Sequence, residues 1–113
     1  RKRRSRGLRF LLPLLANGNT VNNQELSSVW FKAAIVPGYD PNVFRIDVCG
    51  AWIRWTDYGN RNSNFGWEVD HIMPVANGGP DTMSNLRPLH WKNNATKSDG
   101  RLVCVVNTMA GKV

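Results

Sequence analysis

Apolar positions along the chain follow two different rhythms. Leu26, Val29, Trp30, Ala33 and Ala34 recur at the spacing of one helix face, so a short helix is expected from Asn23 to about Ile35, capped by an Asn. Pro37-Gly38-Tyr39-Asp40-Pro41 then forces a loop. After it the period changes to two: Phe44, Ile46 and Val48 alternate, and so do Ala51, Ile53 and Trp55 beyond Cys49-Gly50, which predicts a β-hairpin. Residues 57 to 64 are a polar turn region. Trp67, Val69 and His71 define a further strand, Leu86 to Leu89 its partner, and a helix follows from about His90 to Asp99 with Gly100 as its stop. Arg101 to Val106 has the β-branched composition of a last strand. The expected class is α+β in one small domain, residues 23–113, preceded by a basic and apolar arm and linker, residues 1–22.

Charge sharpens this picture. The net charge is +7, yet Arg1, Lys2, Arg3, Arg4, Arg6 and Arg9 supply six positive charges with no acid among them, leaving nine basic against eight acidic residues, about +1, for the rest. Such an arm strengthens salt-sensitive, non-specific attachment to phosphates. Its continuation, Phe10-Leu11-Leu12-Pro13-Leu14-Leu15-Ala16, imitates a short export signal, but Pro13 interrupts it and no initiating Met precedes it. A processed product or a piece of something longer is the expectation, with a cytoplasmic or DNA-associated location favoured and secretion open. No apolar run is long enough to cross a bilayer. Cys49 and Cys104 are too few for a disulfide framework and read as two independent buried thiols, a bridge being the alternative for an exported protein.

The chemistry concentrates in Gly66-Trp67-Glu68-Val69-Asp70-His71-Ile72-Met73-Pro74, then Asn85-Leu86-Arg87-Pro88-Leu89, then Lys92-Asn93-Asn94-Ala95-Thr96-Lys97. Adjacent residues of a strand point to opposite faces, so Asp70 and His71 can serve different sides of one phosphate. His71 is a candidate general base, since imidazole titrates near neutrality. Asp70 and Asn94 are candidate metal ligands. Oxygen-only ligation suits Mg²⁺ or Mn²⁺ better than Zn²⁺. Asn85 is expected to tie the long loop to the strand carrying His71. Arg87, Lys92, Lys97 and Arg101 around the metal helix, with Arg61 in the preceding loop, are candidate phosphate contacts. His90 is expected to pack near the helix start, with a phosphate contact or catalytic support as the alternatives.

In order and spacing these residues resemble the HNH nucleases of the ββα-metal class, in the variant whose last motif residue is Asn. The resemblance covers about residues 45 to 99. It implies a ββα-metal core, with the hairpin and the short N-terminal helix as additions, and a DNA endonuclease using one divalent ion, Mg²⁺ or Mn²⁺. His71 and Asn85 would be its catalytic-site residues and Asp70 and Asn94 its metal ligands, in a chain expected to be monomeric. A delivered toxin nuclease, a binding-only module and, least favoured, an RNA-cutting enzyme are the other readings. Many members carry two CxxC pairs around a structural zinc. Here the corresponding positions are Ile46 and Cys49, then His90 and Asn93, which cannot complete a tetrahedral site. No structural zinc is expected, and apolar packing by Trp30, Phe44, Trp52, Trp55, Trp67 and Trp91 is expected in its place.

Overall fold

The computed structural model describes residue 15 and residues 18–97 and 100–107. Among the described residues, two helices and two small antiparallel sheets are consistent with the expected α+β class: α1 (Asn23–Trp30), β1 (Ala34–Ile35), β2 (Phe44–Ile46), β3 (Trp52–Arg54), β4 (Trp67–His71), β5 (Leu86–His90) and α2 (Trp91–Lys97). β1, β2 and β3 form one sheet in that order, and β4 pairs with β5 in the other. Among the described residues no helix is long and apolar enough to cross a membrane.

The helix α1 begins with a capping box in which the Asn22 side chain accepts from the Glu25 backbone and Glu25 returns the bond. It ends at Trp30, short of the expected Ile35, because the next residues are claimed elsewhere. The buried guanidinium of Arg45 takes the carbonyls of Phe31, Ala33 and Pro41, and Ala34–Ile35 joins the sheet edge opposite Ile46 and Arg45. Arg45 therefore occupies the inner face of β2, and the alternating Phe44 packs outward against Tyr39, Trp52 and Phe65. The interior is built on Trp30, which meets Trp55 and Trp67 at ring-centroid distances of 5.7 and 5.2 Å, with Leu26, Val29, Ile53, Val69 and Leu86 around it. Leu15 and Val21 belong to the same core. The folded body thus takes in part of the segment read as a linker, whereas the six basic residues of the arm lie outside the described residues.

Three further expectations are corrected. Cys49 and Cys104 are joined in a disulfide with Cα atoms 5.6 Å apart. Residues 100–107 form no strand; they are a strap held by a side chain, with Val105 and Val106 N–H donating to Asn93 Oδ1 and Asn93 Nδ2 donating to the Val106 carbonyl. Where apolar packing was expected to replace a zinc site, the structure has a polar hub. The buried Asp47 carboxylate accepts the N–H groups of Cys49 and Ala51 on one oxygen, and His90 N–H and Asn93 Nδ2 on the other, at 2.8–3.2 Å. Gly50 is required there: its φ is +86°, and a Cβ would lie 2.9 Å from the Asn107 carbonyl oxygen of the strap.

Candidate active site

The register of β4 against β5 pairs Trp67 with His90, Asp70 with Arg87 and His71 with Leu86. Alternation along β4 sends Trp67 and Val69 into the core and Glu68 and Asp70 toward α2. On α2, Asn94 and Lys97 are three residues apart and so share a face. That face meets β4: Asn94 Nδ2 donates to Glu68 Oε1 at 2.7 Å, and Lys97 Nζ lies 3.3 Å from Asp70 Oδ1 and donates to the His71 carbonyl at 3.0 Å. Arg87 Nε donates to the other Asp70 oxygen at 2.8 Å.

Asp70 is therefore buried between two cations, and this revises the roles read for both. Lys97 is only 5 % exposed and Arg87 points across the strand pair, so neither offers its charge outward as a phosphate contact. Arg61 is exposed but forms a two-bond pair with Glu68, at 2.6 and 2.7 Å. Lys92 and Arg101 are exposed, with the Lys92 ammonium over the Trp91 ring. Asp70 and Asn94 stand on facing elements, each bonded to other groups. Glu68 completes the set and was missed in the sequence, although its place two residues before Asp70 on a strand puts it on the same face. Burial pushes the Glu68 carboxyl up, but the hydrogen bonds from Arg61 and Asn94 outweigh it and hold it below its ordinary value. Beside these groups a cavity of about 400 Å³ is lined by Leu15, Tyr58, Arg61, Glu68, Val69 and Asn94. Burial, then the Glu68 charge, push the Tyr58 phenol up to about 12.

His71 ends β4 with its ring 4 % exposed and Nε2 2.7 Å from Asp81 Oδ1. Asp81 was not singled out in the sequence, where Asn77 to Pro80 reads only as a turn. The loop returns to His71 because Asn85 closes it: its Oδ1 accepts Met73 N–H at 2.8 Å, and its Nδ2 donates to the carbonyls of Met73 and Pro80 at 3.1 and 2.9 Å. Gly79 permits the tight return, since a Cβ there would sit 1.8 Å from the Met73 carbonyl oxygen. His90 is a packed residue: Nε2–H donates to the Asn64 carbonyl at 2.8 Å, Nδ1 accepts Lys92 N–H at 3.0 Å, and burial holds its pKa below the ordinary value.

Among the described residues no three His, Cys, Asp or Glu side chains form a metal cluster. The groups on this face are the carboxylates of Glu68 and Asp70 and the amide of Asn94, whose Nδ2 is turned to Glu68. Carboxylate and amide oxygens are hard donors, of the chemistry that suits a divalent ion such as Mg²⁺ or Mn²⁺. Comparison with curated proteins and with solved structures returned no match. The model of one protein family, the HNH endonucleases, matches residues 49–100. That segment, which carries β3, β4, β5 and α2, is thus similar to the HNH endonucleases.

Proposed function

We propose that this protein is a metal-dependent DNA endonuclease. The observation that carries the reading is the end of β4, where an oxygen-donor face shared with α2 stands next in sequence to an imidazole held against a carboxylate. Asp70 and Asn94 would hold one Mg²⁺ or Mn²⁺ ion, with Glu68 beside them. When bound, the ion supplies positive charge for the phosphate and for the oxygen that leaves. His71 takes a proton from the attacking water, whose oxygen bonds to phosphorus as the bond to the 3′ oxygen breaks. The 3′ oxygen takes its proton from solvent, leaving 5′-phosphate and 3′-hydroxyl ends. Asn85 holds the loop behind His71, Lys92 and Arg101 supply exposed charge for phosphates, and the six basic residues of the arm add to it. Arg87 and Lys97 hold Asp70 in place.

The test is supercoiled plasmid incubated with Mg²⁺ or Mn²⁺, with and without chelator, for the parent and His71→Ala. Relaxed or linear DNA formed only with metal is expected, with the variant slower by about 10²–10⁴-fold. Unchanged plasmid with a mobility shift would point to a binding module instead. The Cys49–Cys104 disulfide favours one refinement, that the enzyme works after export or delivery, because disulfides persist in oxidising compartments.

A further inference from the structure

We propose that Asp81 is a positioning residue for His71: it fixes the imidazole in the tautomer that carries hydrogen on Nε2 and leaves Nδ1 as the basic nitrogen. The catalytic meaning of this assignment rests on the nuclease reading, whereas the tautomer follows from hydrogen-bond chemistry. A carboxylate only accepts. With Asp81 Oδ1 2.7 Å from Nε2, that nitrogen must be the donor, so in the neutral ring the lone pair is on Nδ1. The proton removed from water then ends on Nδ1, and the positive charge so formed faces Asp81 through Nε2–H.

Two features make the contact a built one. Asn85 fastens both ends of the loop, at Met73 and Pro80, so the residue after Pro80 is delivered to the end of β4. The second Asp81 oxygen accepts from Asn19 Nδ2 at 2.6 Å, so one oxygen is turned to His71 and the other to Asn19. His71 is buried and the Asp81 side chain is 30 % exposed, so the pair is shielded from much of the competition by water.

The Asn19 bond gives a diagnostic variant. In Asp81→Asn the new amide keeps its oxygen toward the Asn19 donor and turns its NH₂ toward His71. Nε2 must then accept, the hydrogen moves to Nδ1, and the base is lost. Asp81→Ala releases the ring without imposing the wrong tautomer. A residue that served only the loop would show the reverse order, with the isosteric Asn the milder change.

The experiment combines ¹⁵N-histidine NMR of the full chain at alkaline pH with plasmid cleavage by the same proteins. The chain has two histidines, and His90, whose partners are the Asn64 carbonyl and Lys92 N–H, serves as the internal control. The expected result is an Nε2–H pattern for His71 in the parent and an Nδ1–H pattern in Asp81→Asn, with His90 unchanged. Cleavage should rank parent above Asp81→Ala above Asp81→Asn, the last reduced about 10²–10⁴-fold. An Nδ1–H pattern in the parent, or an unchanged His71 pattern in Asp81→Asn, would overturn the proposal. Should the parent cut no DNA with any metal, the nuclease reading fails, and the tautomer data still decide what Asp81 does.

Discussion

Replacing both Cys49 and Cys104 by Ser tests how the β4–β5 pair is held. The two cysteines are 55 residues apart, and the loop they close contains β3, β4, β5 and α2. Loop-closure entropy for that length gives about 4 kcal/mol of stabilisation at 25 °C. For a domain of this size, with a total of about 5–15 kcal/mol, the loss is a quarter or more of the whole. At roughly 2.1 cal/mol/K of unfolding entropy per residue, it lowers the melting temperature by about 15–20 °C. Urea unfolding followed by tryptophan fluorescence is a suitable assay, because Trp30, Trp55 and Trp67 share the core. Parent protein treated with a phosphine reductant should reproduce the double variant. The slope of the transition adds a check: if the strap merely detaches, native structure is lost before the main transition and the slope falls. A variant within about 1 kcal/mol of the parent at unchanged slope would refute the reasoning and leave the Asn93 hydrogen bonds as the strap's effective attachment.

Lys97→Met should cost about 2–3 kcal/mol in urea unfolding, because Asp70 and the His71 carbonyl lose a buried charged donor; unchanged stability with weaker DNA binding would instead mean that Lys97 faces phosphate. Asp47→Ala leaves four donors without their acceptor and should destabilise by about 3–5 kcal/mol, read from the same denaturation curves, with a shift under about 1 kcal/mol counting against the hub. His90 has its pKa held below 6.5 by burial, and a depressed imidazole contributes stability that is present above 6.5 and lost as pH falls through its folded value. Glu68, held below 4.5 by Arg61 and Asn94 against burial, adds a second loss below that pH, so denaturation midpoints should begin to fall near pH 6.5 and fall again below 4.5; a flat profile through both would contradict the geometry. Asn94→Ala should weaken Mn²⁺ binding at least about tenfold by calorimetry while Asn94→Asp retains it, and equal affinity in the Ala variant would move the second ligand elsewhere.

The parts of the site that lie close in sequence could be read in advance. Period-two alternation at Trp67, Val69 and His71, a Gly-rich loop and the Asn85-Leu86 start of the partner strand are local signals, and they delivered β4, β5 and the helix after them. What escaped depends on long-range partners. The type of Lys97 and Arg87 says that they are charged, and only the meeting of α2 and β5 with Asp70 turns them inward. Asp81 looks like any turn residue until Asn85 folds the loop back. The valines after Gly100 have strand composition, yet the Asn93 side chain takes up the backbone of Val105 and Val106. Arg45 looks like an outward residue of an alternating strand, but the carbonyls at the end of α1 give its guanidinium a buried use that outweighs apolar periodicity. The disulfide could not be weighed from spacing, because a separation of 55 residues carries no geometric information by itself.

In the Asp47 hub the turn after β2, the first turn of α2 and the strap meet around a single anion with four N–H donors, next to a covalent bond. HNH domains with a zinc knuckle fasten the corresponding positions through a metal ion, so a chelator strong enough to strip a catalytic ion also threatens their scaffold. Here hydrogen bonds and a disulfide join those positions. Chelation should silence the proposed chemistry and leave an intact apo domain, into which ions can be titrated one at a time without the heat of refolding in the signal. Reductant should act the other way, loosening the frame while leaving the oxygen donors of β4 and α2 chemically unchanged.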